Sequence, residues 1–297
     1  MDTKINFAGI EMKNPVTVSA GTAGYGRELS NFIDLNKLGG IITNGTTLKP
    51  RSGNKPSRIC ETASGMLSSI GIQNPGIEYF AQNDLPFLRK YNTAIIVNAC
   101  ENTIDEYVEL CKILNTLDID GVELNLAPAN KEENGVPFGA SEESTKKLTS
   151  AVRKVLDKPL IVKLTPNVTD ITSIAKVVQN AGADAISLIN TLLGMKIDIY
   201  KKKPMLGSIT GGLSGPAIKP IAVRMVYQVA QVVDIPILGI GGITNGEDAI
   251  EFMLAGATAV SIGAGNLIDP YTSIKTIVGI ENYMKQQRIE KLPLGTG

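Results

Sequence analysis

The sequence predicts an α/β protein, a (β/α)8 TIM barrel formed by one domain over residues 1–297, with a small N-terminal hairpin and long loops at its C-terminal face. Three observations lead there. Short apolar runs alternate with helical patterns eight times along the 297 residues, and ~250 residues is a usual size for such a barrel. No linker or low-complexity segment divides the chain. Near the C-terminus, two glycine loops, Gly239-Ile240-Gly241-Gly242-Ile243 and Ser261-Ile262-Gly263-Ala264-Gly265, follow consecutive apolar runs. The loops after strands seven and eight of a barrel are a frequent phosphate site.

Thr3–Met12 reads as a hairpin capping the barrel bottom, ahead of a first strand at Val16–Ala20. Further strands are expected at Gly40–Thr43, Ala94–Ala99, Gly121–Leu126, Leu160–Leu164, Ala185–Ile189, Ile237–Ile240 and Ala259–Ile262. Apolar residues at three- and four-residue steps predict helices over Glu106–Leu117, Ser144–Leu156, Ile171–Ala181 and Ile218–Val233. A further helix is expected at Gly246–Ala255, with Glu247 and Asp248 in its first turn and Gly256 as its stop. Three segments break the short-connection rule: Gly45–Asn74, Pro128–Ala140 and Leu192–Gly215. Long connections in a compact domain are usually functional. These follow strands two, four and six, on the face where barrel active sites sit.

Lys+Arg and Asp+Glu balance at 29 each, so no bulk charge draws the chain to nucleic acid or membrane. The absence of an apolar run of ~18 residues and of a signal-peptide pattern predicts a soluble, cytoplasmic protein. Cys60, Cys100 and Cys111 have no metal-ligand spacing, and histidine is absent. That argues against a metal site and removes the usual acid/base residue.

Strand ends at the expected mouth are rich in amides: Asn98 on strand three, Asn125 on strand four with Asn130 beyond, Asn190-Thr191 after strand six. Converging amides suit a small planar ligand with donors and acceptors. Lys163 sits between Ile161-Val162 and Leu164. Barrel strands are covered on both faces, so a lysine there needs a partner. A flavin fits, because a lysine near its pyrimidine edge stabilises the reduced anion.

Asn14-Pro15-Val16, Gly45–Arg51, Gly71–Gly76, Val162–Asp170, Ile189–Met195, Gly211–Pro220 and both glycine loops together resemble the FMN-dependent dihydroorotate dehydrogenases. The similarity is greatest to the class 1B catalytic subunit. It implies FMN as cofactor, with its phosphate at Gly242, Gly263 and Ala264 and with Gly241 also in the cofactor site. It implies that Ala20, Gly21, Asn44, Asn98, Lys163, Ile189 and Gly215 also surround the flavin. Ser68, Ile70, Gly71, Ile72, Asn125, Asn130, Asn190 and Thr191 are then the substrate-binding set. It further implies a homodimer and a separate FAD and iron–sulfur electron-transfer subunit.

The chain departs from the family pattern inside the pocket. Pro128 stands where the family carries its catalytic cysteine, in Asn125-Leu126-Ala127-Pro128-Ala129-Asn130. Asn44 replaces a lysine, and Ser68 replaces an amide. Cys100 and Ser68 are the substitute candidates for the base. Lys196 is an added cation, expected to be solvated. The reading from sequence is therefore an FMN-dependent oxidoreductase acting on a carbon–carbon bond of a substrate other than dihydroorotate. The alternatives are a dihydroorotate dehydrogenase with an atypical base, a non-catalytic flavin-binding subunit, and a different reaction on the same barrel.

Overall fold

The computed structural model describes residues 1–128 and 135–292. Eight parallel strands close a barrel: Val16–Val18, Gly40–Ile42, Ala94–Ala99, Gly121–Asn125, Leu160–Lys163, Ala185–Leu188, Ile237–Ile240 and Ala259–Ile262. They are taken below as the first to eighth strands. The ring closes where Val260 and Ile262 of the eighth lie opposite Val16 and Val18 of the first. Every expected strand is present, and those that differ are trimmed by one or two residues at the C-terminal end. The runs are apolar throughout because helices cover one face and the barrel interior the other; Ile41, Ile42, Ile95, Ile96 and Val97 are all inaccessible to solvent.

The main helices are Ile104–Thr116, Glu142–Arg153, Ile171–Asn180, Lys219–Ala230, Gly246–Leu254 and Thr272–Gln287. Their starts are encoded locally. Thr103 and Glu106 form a reciprocal capping box, and Ser141, Asp170 and Asn245 each accept a backbone N–H of the first turn. The N-terminal hairpin pairs Ile5–Phe7 with Ile10–Met12. Ile10 Cδ1 lies 2.8 Å from where a Cβ on Gly121 would sit. The hairpin thus plugs the bottom of the barrel beneath the fourth strand, and Gly121 is glycine because a side chain would strike the plug.

Two of the three long segments are not loops. Ile59–Thr62 and Gly65–Ser68 from one, and Leu192–Met195 and Thr210–Ser214 from the other, build a four-stranded antiparallel sheet. Leu213 lies opposite Leu67 where the two segments meet. Cys60, Leu67 and Leu206 are buried together there, with Met205 and Leu213 against them. This lid core is separate from the barrel core. Of the third segment, Phe138–Ala140 forms a short turn.

The helices Gly246–Leu254 and Thr272–Gln287 meet through two glycines. A Cβ on Gly279 would fall 2.7 Å from Gly246 Cα, and one on Gly246 would fall 2.5 Å from Gly279 Cα. Backbone cannot retreat as a side chain can. Gly279→Val should therefore cost roughly 1–3 kcal/mol of stability, the usual cost of overpacking. It should lower the thermal midpoint without changing what the protein binds, as followed by circular dichroism melting.

Candidate active site at the barrel mouth

Two adjoining cavities open at the C-terminal ends of the strands, of about 480 and 580 Å³. Both are lined by Ala20, Gly21, Ile70, Ile72, Asn125, Lys163 and Asn190. The smaller adds Ser68, Gly71, Pro128, Ile189, Thr191 and Gly215, with Gly241, Gly242, Gly263 and Ala264 of the two glycine loops. The larger adds Asn44, Asn98 and Cys100. The fold thus brings together residues drawn from all eight strand ends and from the lid sheet. Asn130 lies outside the described residues.

Beneath the mouth is a buried polar cluster. Glu123 is inaccessible to solvent and Lys163 is 5% exposed; Lys163 Nζ lies 3.5 Å from Glu123 Oε2. Asn98 Nδ2 donates to the same oxygen at 2.5 Å. Ser187 Oγ donates to Glu123 Oε1 at 2.7 Å. Strand register sets this up, with Glu123 opposite Asn98 and Lys163 opposite both Asn125 and Ser187. Burying a charge without a partner is costly, so the partner that Lys163 needs is Glu123. Sequence reasoning missed Glu123 and Ser187. The available signal was an acid inside the apolar run Val122-Glu123-Leu124, two residues before Asn125 and hence on the same strand face.

Above the carboxylate, hydrogen bonds link the amides. Asn98 Oδ1 accepts from Cys100 Sγ at 3.0 Å and from Asn125 Nδ2 at 3.4 Å. Asn125 Oδ1 accepts from Asn190 Nδ2 at 3.3 Å and from the Ala127 backbone at 3.1 Å. Tyr107 Oη, from the helix behind, donates to the Asn125 carbonyl at 2.7 Å. Asn44 donates to the Gln73 carbonyl at 2.9 Å, which ties the second strand to the Gly71–Gly76 run. Lys196 is exposed, as expected, and its Nζ also donates to the Glu61 carbonyl at 2.7 Å across the lid sheet. A side-chain acceptor was not needed, because that carbonyl lies in a strand of the neighbouring segment.

The cavity fits an anionic, planar cofactor. A Cβ on Gly21 would meet nothing within 4 Å, and one on Gly263 only Ser19 Cβ at 3.9 Å, so both backbones border open space. Gly242, at φ +75°, would drive a Cβ to 2.8 Å from the Gly215 carbonyl and 2.9 Å from Lys219 Cβ. Lys219 itself is held at 2.7 Å by Asp248 and at 2.7 Å by Glu251. A phosphate at the glycine loops would therefore rely on backbone N–H groups. Among the described residues, no cluster of three or more His, Cys, Asp or Glu side chains could hold a metal. No described helix is long and apolar enough to cross a membrane.

Among the described residues, Glu28 is the one carboxylate lining either cavity, and it is an exposed residue of the larger one. Pro128 is buried and has no titratable group. Burial pushes the Cys100 thiol up to about 12, an effect that the nearby Lys163 ammonium only partly offsets. Cys100 is a protonated donor to Asn98 at neutral pH.

Comparison with known proteins agrees with this geometry. The dihydroorotate dehydrogenase family model matches residues 3–284. The chain is 53% identical over 292 residues to the dihydroorotate dehydrogenase B (NAD(+)) catalytic subunit of Alkaliphilus metalliredigens, covering 98% of this chain and 97% of that one. It is 55% identical over 290 residues to the protein of the same name from Brachyspira hyodysenteriae, covering 97% and 95%. For that of Bacteroides thetaiotaomicron the figures are 50% over 286 residues, 96% and 94%. The fold and site define a barrel oxidoreductase scaffold. The chain belongs to the dihydroorotate dehydrogenase family.

Cys100 and Cys111 are both raised by burial from 9.0 to about 12. A folded-state value above the unfolded one favours folding at low pH. This stabilisation is complete below about pH 9 and is lost as pH rises through about 12. Denaturant titrations should show stability falling over that window, and Cys100→Ala should flatten the fall. Native protein at pH 8 should react only slowly with a thiol reagent, whereas unfolded protein releases its full set of three thiols.

Proposed function

We propose that the chain oxidises a saturated carbon–carbon bond of a small planar ring, dihydroorotate being the substrate best supported. Its class is that of an FMN-dependent oxidoreductase acting on CH–CH groups. The observation that carries this is a single mouth where the glycine loops, the buried Lys163 and the Asn125–Asn190 pair converge. The relatives' names, at half identity over nearly the whole chain, favour dihydroorotate over the different substrate that the pocket changes suggested.

FMN, when bound, supplies the hydride acceptor. Ala20, Gly21 and Ile189 would flank it, and Gly242, Gly263 and Ala264 would hold its phosphate. Lys163 would stabilise negative charge developing on the ring system. Asn125 and Asn190 would orient the substrate, and Ile70 and Ile72 would pack against it. The proton lost from the second carbon would pass to solvent water, because Pro128 takes none. A positioned base typically contributes 10²–10⁴-fold, so the oxidation would be slow. Pro128 also favours a second reading, a related ring whose proton leaves without a base.

The relatives are named as catalytic subunits of an NAD(+) enzyme. By the same reading this chain forms a homodimer and passes electrons to a separate FAD and iron–sulfur subunit, since its own three cysteines lie buried and apart from any cluster.

Purified protein should be yellow and should release FMN on heating. Gly263→Asp should abolish FMN binding, by placing negative charge in the open space where phosphate sits. Gly263→Ala should retain it. Anaerobic dihydroorotate should bleach the flavin well below ~10 s⁻¹, an ordinary enzyme turnover. No bleaching at all would favour the second reading, and colourless protein that ignores added FMN would overturn both. Asn125→Ala should weaken substrate or product binding roughly tenfold to a hundredfold with FMN retained.

A further inference from the structure

We propose that Glu123 is a positioning residue that sets the direction of hydrogen bonding in the asparagines of the pocket, making its ligand-facing edge a donor surface. This rests on the reading of the mouth as a flavin and substrate site, and goes beyond it in saying how the site chooses its ligand.

Glu123 touches no cavity. It is fully buried, and all its contacts approach as donors: Asn98 Nδ2, Ser187 Oγ and the Lys163 ammonium. A carboxylate paired with an ammonium offers only acceptors. An amide beside it has one permitted orientation, NH₂ towards the carboxylate. Asn98 must then turn its Oδ1 the other way, and that oxygen does accept from Cys100 Sγ and Asn125 Nδ2. The consequence passes up the chain. Asn125 spends its NH₂ on Asn98, and its Oδ1 accepts from Asn190 Nδ2 and from the Ala127 backbone N–H, which favours the same orientation. Asn190 Oδ1 is in turn taken by the Thr191 backbone N–H at 2.7 Å.

Each linked amide has given its oxygen to a protein donor and one N–H to a protein acceptor. The second N–H of Asn125 and of Asn190 remains for the cavity both residues line. A ligand seated there must present acceptors, as ring carbonyls and a carboxylate do. A ring with amino groups at the same positions would set donor against donor. Without the anion at the base of the chain, Asn98 would be free to flip and set its NH₂ against that of Asn125, opposing the order that the Ala127 and Thr191 backbone N–H groups also favour.

The test uses the FMN-loaded protein and reads ligand binding from the perturbation of the flavin spectrum. The probes are orotate, the oxidised form of dihydroorotate, and its counterpart with both ring carbonyls replaced by amino groups. Wild type should prefer orotate by roughly tenfold to a hundredfold. Glu123→Gln can keep an oxygen towards Asn98 and turn its NH₂ to the Ser187 hydroxyl, so the preference should survive. Glu123→Met removes the acceptor and should reduce the preference at least tenfold while the protein stays yellow. Both substitutions remove the same charge, so the difference between them isolates the acceptor.

Equal loss of preference in both variants, or none in Glu123→Met, overturns the proposal. So does a wild type that binds the amino ring as well as orotate, a result that needs no variant to fold. If neither ring perturbs the flavin of yellow wild-type protein, the substrate pocket itself has been misassigned. Colourless protein removes the flavin reading underneath.

Discussion

A barrel interior of isoleucine, valine and leucine accepts an ammonium only beside an anion, and Lys163 finds that anion in Glu123 at 3.5 Å. An effective dielectric far below that of water makes such a pair strong and its separation expensive. Neither residue can shift without stranding the other. The third to sixth strands are therefore locked in register at their C-terminal ends by side chains as well as by backbone ladders. The rigidity of the mouth follows from this pair.

The surrounding architecture divides the labour. The barrel supplies fixed polar groups from strand ends, and the glycine loops supply backbone that comes close to open space. The lid sheet supplies Ser68, Met66 and Ser214 as a wall on the same cavity. None of the three parts makes a site alone. Pro128 and Ser68 line the smaller cavity beside the glycine loops, and Asn44 lines the larger one.

The barrel strands were legible because each is a short, continuous apolar run, which a parallel sheet covered on both faces requires. The caps at Thr103, Ser141, Asp170 and Asn245 are equally local features, each a small polar residue just before its helix. Asn125 and Lys163 stood out as polar residues in such runs. The lid sheet did not, because its two local hairpins are joined by a pairing across more than a hundred residues and its strands carry glycines, as in Thr210-Gly211-Gly212-Leu213-Ser214. Local pattern contains no trace of that pairing. Glu123 was hidden differently. An acid in a strand ordinarily faces solvent, and the two-residue spacing from Asn125 was the one local sign that this one faces inward.

The pairing of Leu67 with Leu213, and the closure of Val260 on Val16, join segments far apart in the chain. A growing chain can lay down the early strands while residue 67 still lacks its partner. The cofactor cavity exists only once both ends of the molecule have met. Contacts of such long sequence separation form slowly. Cofactor capture thus has to wait until the eighth strand has closed on the first.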